Sequence, residues 1–141
     1  MRRYWIGVVS LNHINKGIES SFIQLCHGKE SPLKRMSEDD VIIIYSPKID
    51  LYSKDKYQCF SAIGRLVDNK ITQVEMASDF HPFRRNVDFI ENIKPVSIHG
   101  IKESLEFIED QRYYGAKFRY GHFEISKEDA MRIWKKMKPD D

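Results

Sequence analysis

Short apolar runs rich in β-branched and aromatic residues fill most of the first ninety positions, and helical spacing takes over only after them. "YWIGVVS" (4–10) predicts a first strand. Ser10 then stands as a candidate N-cap for a short helix that Gly17 would end. "SFIQLCH" predicts a second strand running out into His27-Gly28-Lys29, and Pro32 suits the first position of a single helical turn. "VIIIY" (41–45) is unbroken apolar, the pattern of a strand buried on both faces, with Pro47 as its stop. "YQCFSAIGRLVDNKITQVEMA" predicts a hairpin turning at Asp68-Asn69-Lys70, because Asn tolerates left-handed backbone. "FRRNVDFI" predicts another strand.

Ile98, Ile101, Leu105 and Ile108 recur at threes and fours, which predicts a helix, and "AKFRYGHFEI" alternates as a strand. The tail "SKEDAMRIWKKM" predicts a closing helix, with Ser126 as N-cap and Asp129 three residues on. Met131, Ile133, Trp134 and Met137 fall near one face, and the late cations suit the helix dipole. Six or seven strands with three short helices, in antiparallel style, define an α+β class. The expected architecture is a small curled, mostly antiparallel β-barrel flanked by short helices, one domain over 1–141.

Composition narrows the function classes. A chain of 141 residues with 41% apolar and 31% charged residues can bury a core and is not a disordered polyelectrolyte. A net charge of +2 excludes a generally basic nucleic-acid binder but leaves room for a local basic groove. No apolar stretch approaches the ~20 residues of a membrane span. The N-terminal apolar run is too short for a secretory signal. Two cysteines in separate segments make no disulfide framework, so a reducing, cytoplasmic setting is expected.

Catalytic signals are weak. There is no Gly-rich phosphate loop, no G-x-S-x-G elbow and no evident acid–base carboxylate pair; Glu38-Asp39-Asp40 reads as a solvated turn. Cys26 and His27 are adjacent, so on a strand they point to opposite faces and cannot form a nucleophile–base pair; Cys26 reads as a small buried hydrophobe. The five histidines fall in no zinc spacing, no metal is expected, and His99 and His122 read as structural hydrogen-bonders. Binding signals are better. "FHPFRR" (80–85) sets two aromatics, a His and two Arg around Pro82, suited to base stacking and phosphate contact. The opposing reading keeps Phe80 and Phe83 in the core and the Arg pair in salt bridges.

"YWIGVVSLNHINKGI", "FIQLCHGKESPLKRM", "DVIIIYSPK", "FSAIGRLVD" and "FHPFRRNVDF", in that order over residues 4 to 89, resemble the EVE domain family of the PUA-like superfamily. The C-terminal "ISKEDAMRIWKKM" fits the closing helix of such domains. Two departures stand out: Ser21 before Phe22, and Asp39 before Asp40, where glycine is common in relatives. The resemblance implies a small barrel with a pocket beside the early helix, no catalysis and no cofactor. It implies a nucleic-acid partner, RNA or DNA, read through a modified or flipped base, as in the related YTH, ASCH and SRA-like groups.

By that analogy Ser10, Asn12 and His13 line one wall, and Phe22, Gln24, His27 and Gly28 a second. Tyr45, Ser46 and Pro47 end the third strand at the pocket, and Phe80, Pro82 and Phe83 close it. Gln24 and Ser10 would bond the base edge, Phe22 or Tyr45 would stack on it, and Lys29, Arg84 and Arg85 would hold phosphate. Two other readings stay open: an enzyme acting on a nucleotide-like small molecule through Cys26 or His27, and a generic anion or small-molecule pocket.

Overall fold

A computed structural model of the protein describes residues 1–140. Seven strands form one sheet: β1 (Tyr4–Val8), β2 (Phe22–Ile23), β3 (Val41–Lys48), β4 (Lys56–Gln73), β5 (Phe83–Phe89), β6 (Val96–Ser97) and β7 (His122–Ile125). Their order is β2-β5-β4-β3-β1-β7, with β6 pairing on β4. Among the described residues only β1 and β3 run parallel; every other strand pairing is antiparallel. The sheet is therefore mixed and mostly antiparallel. It is open, however: β2 and β7 end the order and do not pair, so the expected barrel closure is not present.

Strand periodicity explains the two cores. Successive side chains on a strand point to opposite faces. Ile6, Ile43 and Tyr45 face one way, packing with Ile98, Leu105, Phe118, Ile133 and Met137. Trp5, Ile42 and Ile44 face the other, packing with Ile14, Ile23, Leu25, Leu33 and Val87. The first face is covered by helix α3 (Lys127–Met137) and a chain of 3-10 turns; the second by α1 (Leu11–Ser20) and the short α2 (Ser31–Lys34).

Several local expectations change. Helix α1 runs through Gly17, which is buried where any Cβ would meet the Phe22 carbonyl, and ends at Ser21 in left-handed conformation with φ 60°. The second strand is only two residues long. Pro47 lies within β3 rather than stopping it. Asp68-Asn69-Lys70 turns no hairpin: β4 continues for 18 residues, and its pairing with β5 is interrupted between Leu66 and Ile71. Asp68 Oδ1 accepts from Lys70 N at 2.9 Å, so the turn chemistry is absorbed as a local irregularity of one strand. The real hairpin joins β4 to β5 through residues 74–82.

The spacing at Ile98, Ile101, Leu105 and Ile108 marks burial correctly, since all four are interior, but the backbone there forms two 3-10 turns. Residues 117–120 are also 3-10, leaving β7 to begin at His122. In α3 the Ser126 cap is as expected, with its Oγ accepting from Asp129 N at 3.1 Å, whereas Met131 faces outward. Asp40, read as part of a solvated turn, is buried and accepts from the Trp5 indole N–H, Arg3 N and Ser37 N at 2.9–3.0 Å.

Candidate nucleic-acid interface

At one end of the open sheet lies a cleft of about 1220 Å³, larger than the roughly 300–1,000 Å³ of ordinary small-molecule sites. Its floor is the end of β1, Val8 and Val9, followed by Ser10 at the head of α1. Val9 N bonds Tyr45 O at 3.1 Å and Asn12 N bonds Ile49 O at 2.9 Å, which ties that helix start to β3 and its exit. The Ser10 side chain makes no cap hydrogen bond. Its hydroxyl is thus not spent on the helix and stands at the cleft with Asn12 and His13.

The second wall is an unusual turn. Cys26, His27 and Gly28 all have positive φ, at 49°, 61° and 82°. The turn is closed by Gly28 N and Lys29 N donating to Leu25 O at 2.9 and 3.1 Å. Left-handed conformation in a non-glycine residue costs about 1–2 kcal/mol. Two such residues in sequence are strain that the surrounding contacts must hold in place. Phe83 N donates to Gly28 O at 2.9 Å, and Pro82 lies where a Gly28 Cβ would be. The expected strand ending on His-Gly-Lys is therefore a left-handed turn, pinned by "HPF" of the neighbouring hairpin. It brings Cys26, His27, Gly28 and Lys29 to the cleft.

Of the residues expected at the pocket, Ser10, Asn12, His13, Gln24, His27, Gly28, Lys29, Pro47 and Phe80 line this one cleft. The others do not, each for a physical reason. Arg85 is buried, and its guanidinium donates to the carbonyls of Leu33, Met36 and Asp68 at 2.5–2.8 Å, so it braces backbone and cannot hold phosphate. Ser46 is buried and its hydroxyl pairs with that of Ser61 at 2.7 Å. Tyr45 is interior, its ring stacked on Phe118 at 3.9 Å, and burial pushes its phenol up; it offers no face to a ligand. Phe22 is likewise covered, by the Arg84 guanidinium at 3.8 Å. Phe83 packs on the second core, and Pro82 is buried against Gly28.

Arg84 stands behind the wall rather than in it. With the Gln24 amide turned so that its oxygen faces Arg84, the orientation that satisfies both groups, that oxygen accepts from Arg84 Nε at 2.7 Å and Nη2 at 3.0 Å. This charge-assisted fork fixes which way Gln24, itself buried, presents its amide. Arg84 thus orients Gln24.

Sequence reasoning missed the aromatic and cationic mouth. Tyr52, 93% exposed, and Tyr120, 71% exposed, line the cleft, as do Phe118 and Met76. Lys16, Lys48 and Arg119 join Lys29, and among the described residues none of these four makes a salt bridge. Glu19 and Asp50 are the acidic lining residues. The signal for Arg119-Tyr120 was an aromatic beside a cation, hidden by reading 116–125 as one strand. Burial lowers the His13 pKa, Lys16 and Arg84 lower it further, and Asp50 opposes them. This environment favours the neutral His13 ring, which has one donor and one acceptor. Burial raises the Cys26 thiol pKa, with Lys29 opposing. Among the described residues no cluster of His, Cys, Asp and Glu is arranged to hold a metal, and no helix is long and apolar enough to cross a membrane.

An open mixed sheet clothed by short helices, with a cleft beside its first helix, is an α+β fold that solved structures share. The fold is similar to that of the MmI1 YTH domain, with a TM-score of 0.58 at 14% identity over 94% of this chain and 92% of that one. It is also similar to an ASCH protein from Zymomonas mobilis, at 0.60 and 11% over all of both chains, and to a protein from Leishmania major, at 0.64 and 12% over 96% and 94%. The chain belongs to the EVE domain family, which it matches over residues 3–136. Among relatives, a UPF0310 protein of Streptococcus gordonii is 42% identical over 140 residues, 99% of this chain and 96% of that one. One of Helicobacter hepaticus is 48% identical over 126 residues, 89% and 90%.

Proposed function

We propose that the cleft receives a single unstacked nucleobase, modified or flipped, from an RNA or DNA strand, and that the protein acts by binding in the cytoplasm. The observation that carries this reading is the convergence, in one hollow, of edge-reading groups with unpaired cations at the rim. The edge-reading groups are Ser10, Asn12, His13 and Gln24; the cations are Lys16, Lys29, Lys48 and Arg119. Base edges are bonded by the first set and phosphates by the second. Phe80, Tyr52 and Tyr120 supply aromatic faces at the cleft in place of Phe22 and Tyr45. Stacking contributes about 1–3 kcal/mol per base, which with edge hydrogen bonds offsets the few kcal/mol of extruding it. A binding role rather than nucleophilic catalysis is favoured by the Cys26 thiol, since its raised pKa disfavours the thiolate.

The test is a panel of short labelled single strands, RNA and DNA, carrying modified and unmodified bases, read by anisotropy at fixed salt. Affinity should fall with salt, and replacing Lys16, Lys48 and Arg119 together by Ala should flatten the log–log slope by about 2. Gln24→Ala should erase discrimination among bases while leaving the salt slope unchanged. A panel in which no strand binds, or a triple variant with an unaltered slope, defeats the reading.

A further inference from the structure

Beside the main cleft lies an annex of about 230 Å³, lined by Cys26, Lys29, Ser31, Arg35, Tyr120 and His122, with Pro32 at its edge. Cys26, Lys29 and Tyr120 border both spaces, so the two adjoin. His122 is the odd residue here. It is 3% exposed, and neither ring nitrogen has a hydrogen-bond partner. Buried imidazole nitrogens are nearly always bonded, and an orphaned one calls for a partner of its own. Gly7 pairs with His122 across β1 and β7, which puts its ring on the Trp5 side of the sheet. There it stacks on Trp5 at 4.7 Å, on the face that residues 25–36 cover.

The annex is also cationic. Arg35 lies 5.0 Å over the Trp5 ring and donates to His122 O at 3.4 Å, a long bond that leaves most of its fork free. Neither Arg35 nor Lys29 has a carboxylate within salt-bridge reach among the described residues; neighbouring Glu30 is engaged by Lys34 at 3.2 Å. Ser31 adds a hydroxyl, and the Cys26 thiol carries no charge to repel an anion.

We propose that the annex is a phosphate site, in which Arg35 and Lys29 hold the oxyanion and His122 donates a ring N–H to it. Resting on the base-cleft reading, the phosphate would be that of the nucleotide whose base occupies the cleft. The fork of Arg35 suits two phosphate oxygens, and a neutral imidazole N–H adds a further donor.

The decisive experiment titrates inorganic phosphate into the protein labelled with ¹⁵N-histidine, at constant ionic strength, with chloride as control. The His122 ring resonances should shift saturably. Lys29→Met, at an exposed position, and Arg35→Lys, which keeps the charge but loses the fork, should each weaken that response about tenfold. His122→Phe, which keeps a ring on Trp5, should also weaken phosphate, followed at the Lys29 amide. A His122 ring that ignores phosphate overturns the proposal. A second arm compares nucleosides with their 5′-monophosphates, expecting tighter binding of the monophosphates that Arg35→Lys removes. Phosphate in the annex with no nucleoside or oligonucleotide in the cleft sinks the base reading alone. Nucleosides bound as tightly as their monophosphates, with His122 unmoved, sink the annex alone.

Discussion

Single residues here are decided by their backbone region and their desolvation. The two positions where the family resemblance led glycine to be expected, Ser21 and Asp39, both have positive φ, 60° and 74°. Ser21 is the left-handed C-cap of α1 and its side chain is exposed. Ser21→Gly should therefore stabilise the protein by about 1 kcal/mol in urea denaturation. Asp39→Gly should gain less, because the Asp39 carboxylate bonds Arg65 at 2.6 Å. His122 makes the opposite case. It was expected to hydrogen-bond, yet burial, and secondarily Arg35, holds its pKa down to about 4 from an ordinary 6.5. The folded state favours the neutral ring, so this stabilisation is complete above about pH 6.5 and is lost as pH falls through the folded pKa near 4. Without phosphate, unfolding free energy should drop by about 2–3 kcal/mol from this group between pH 7.5 and 4.5. His122→Phe should flatten that dependence while retaining stability at pH 7.5; an unchanged profile would locate the acid sensitivity elsewhere.

Elements were legible where a pattern was long and its chemistry local. Strands β1, β3 and β5 and helix α3 follow from β-rich or helically spaced runs and a Ser126 cap. The failures share a cause: local turn chemistry was outvoted by pairing. At 68–70 an Asp-Asn-Lys turn signal lies between two arms that each pair better with β5 than with one another. At 98–108 the apolar spacing is satisfied by facing the first core, which 3-10 turns accomplish as well as a helix. The left-handed turn at 26–28 is the most consequential. It had no local signature beyond Gly28, because the turn is pinned through Gly28 by contacts with the distant residues 82–83. Gly28→Ala combines a disfavoured φ with a collision against Pro82, and should destabilise by about 2–4 kcal/mol in urea melts. A variant as stable as the parent would mean the turn adapts and is not the rigid wall described.

At the scale of the molecule, one sheet buries both faces, and the cleft forms where the ends of β1 and β3 meet α1, the left-handed turn and the 118–121 segment. The alternation of apolar side chains determined by itself that the chain would be a mostly antiparallel α+β protein, because strand period and face burial are local consequences of side-chain order. The ordered segments also sufficed to recognise the family and to nominate nine of the cleft residues. Only the tertiary structure decided that the sheet stays open, that Arg85 braces backbone while Arg84 orients Gln24, and that Tyr52, Tyr120 and Arg119 reach the mouth. Whether an arginine is buried against carbonyls or free at a rim depends on which distant segments pack over it. That pairing of remote parts is a property of the folded whole and leaves no mark in the residue's own neighbourhood.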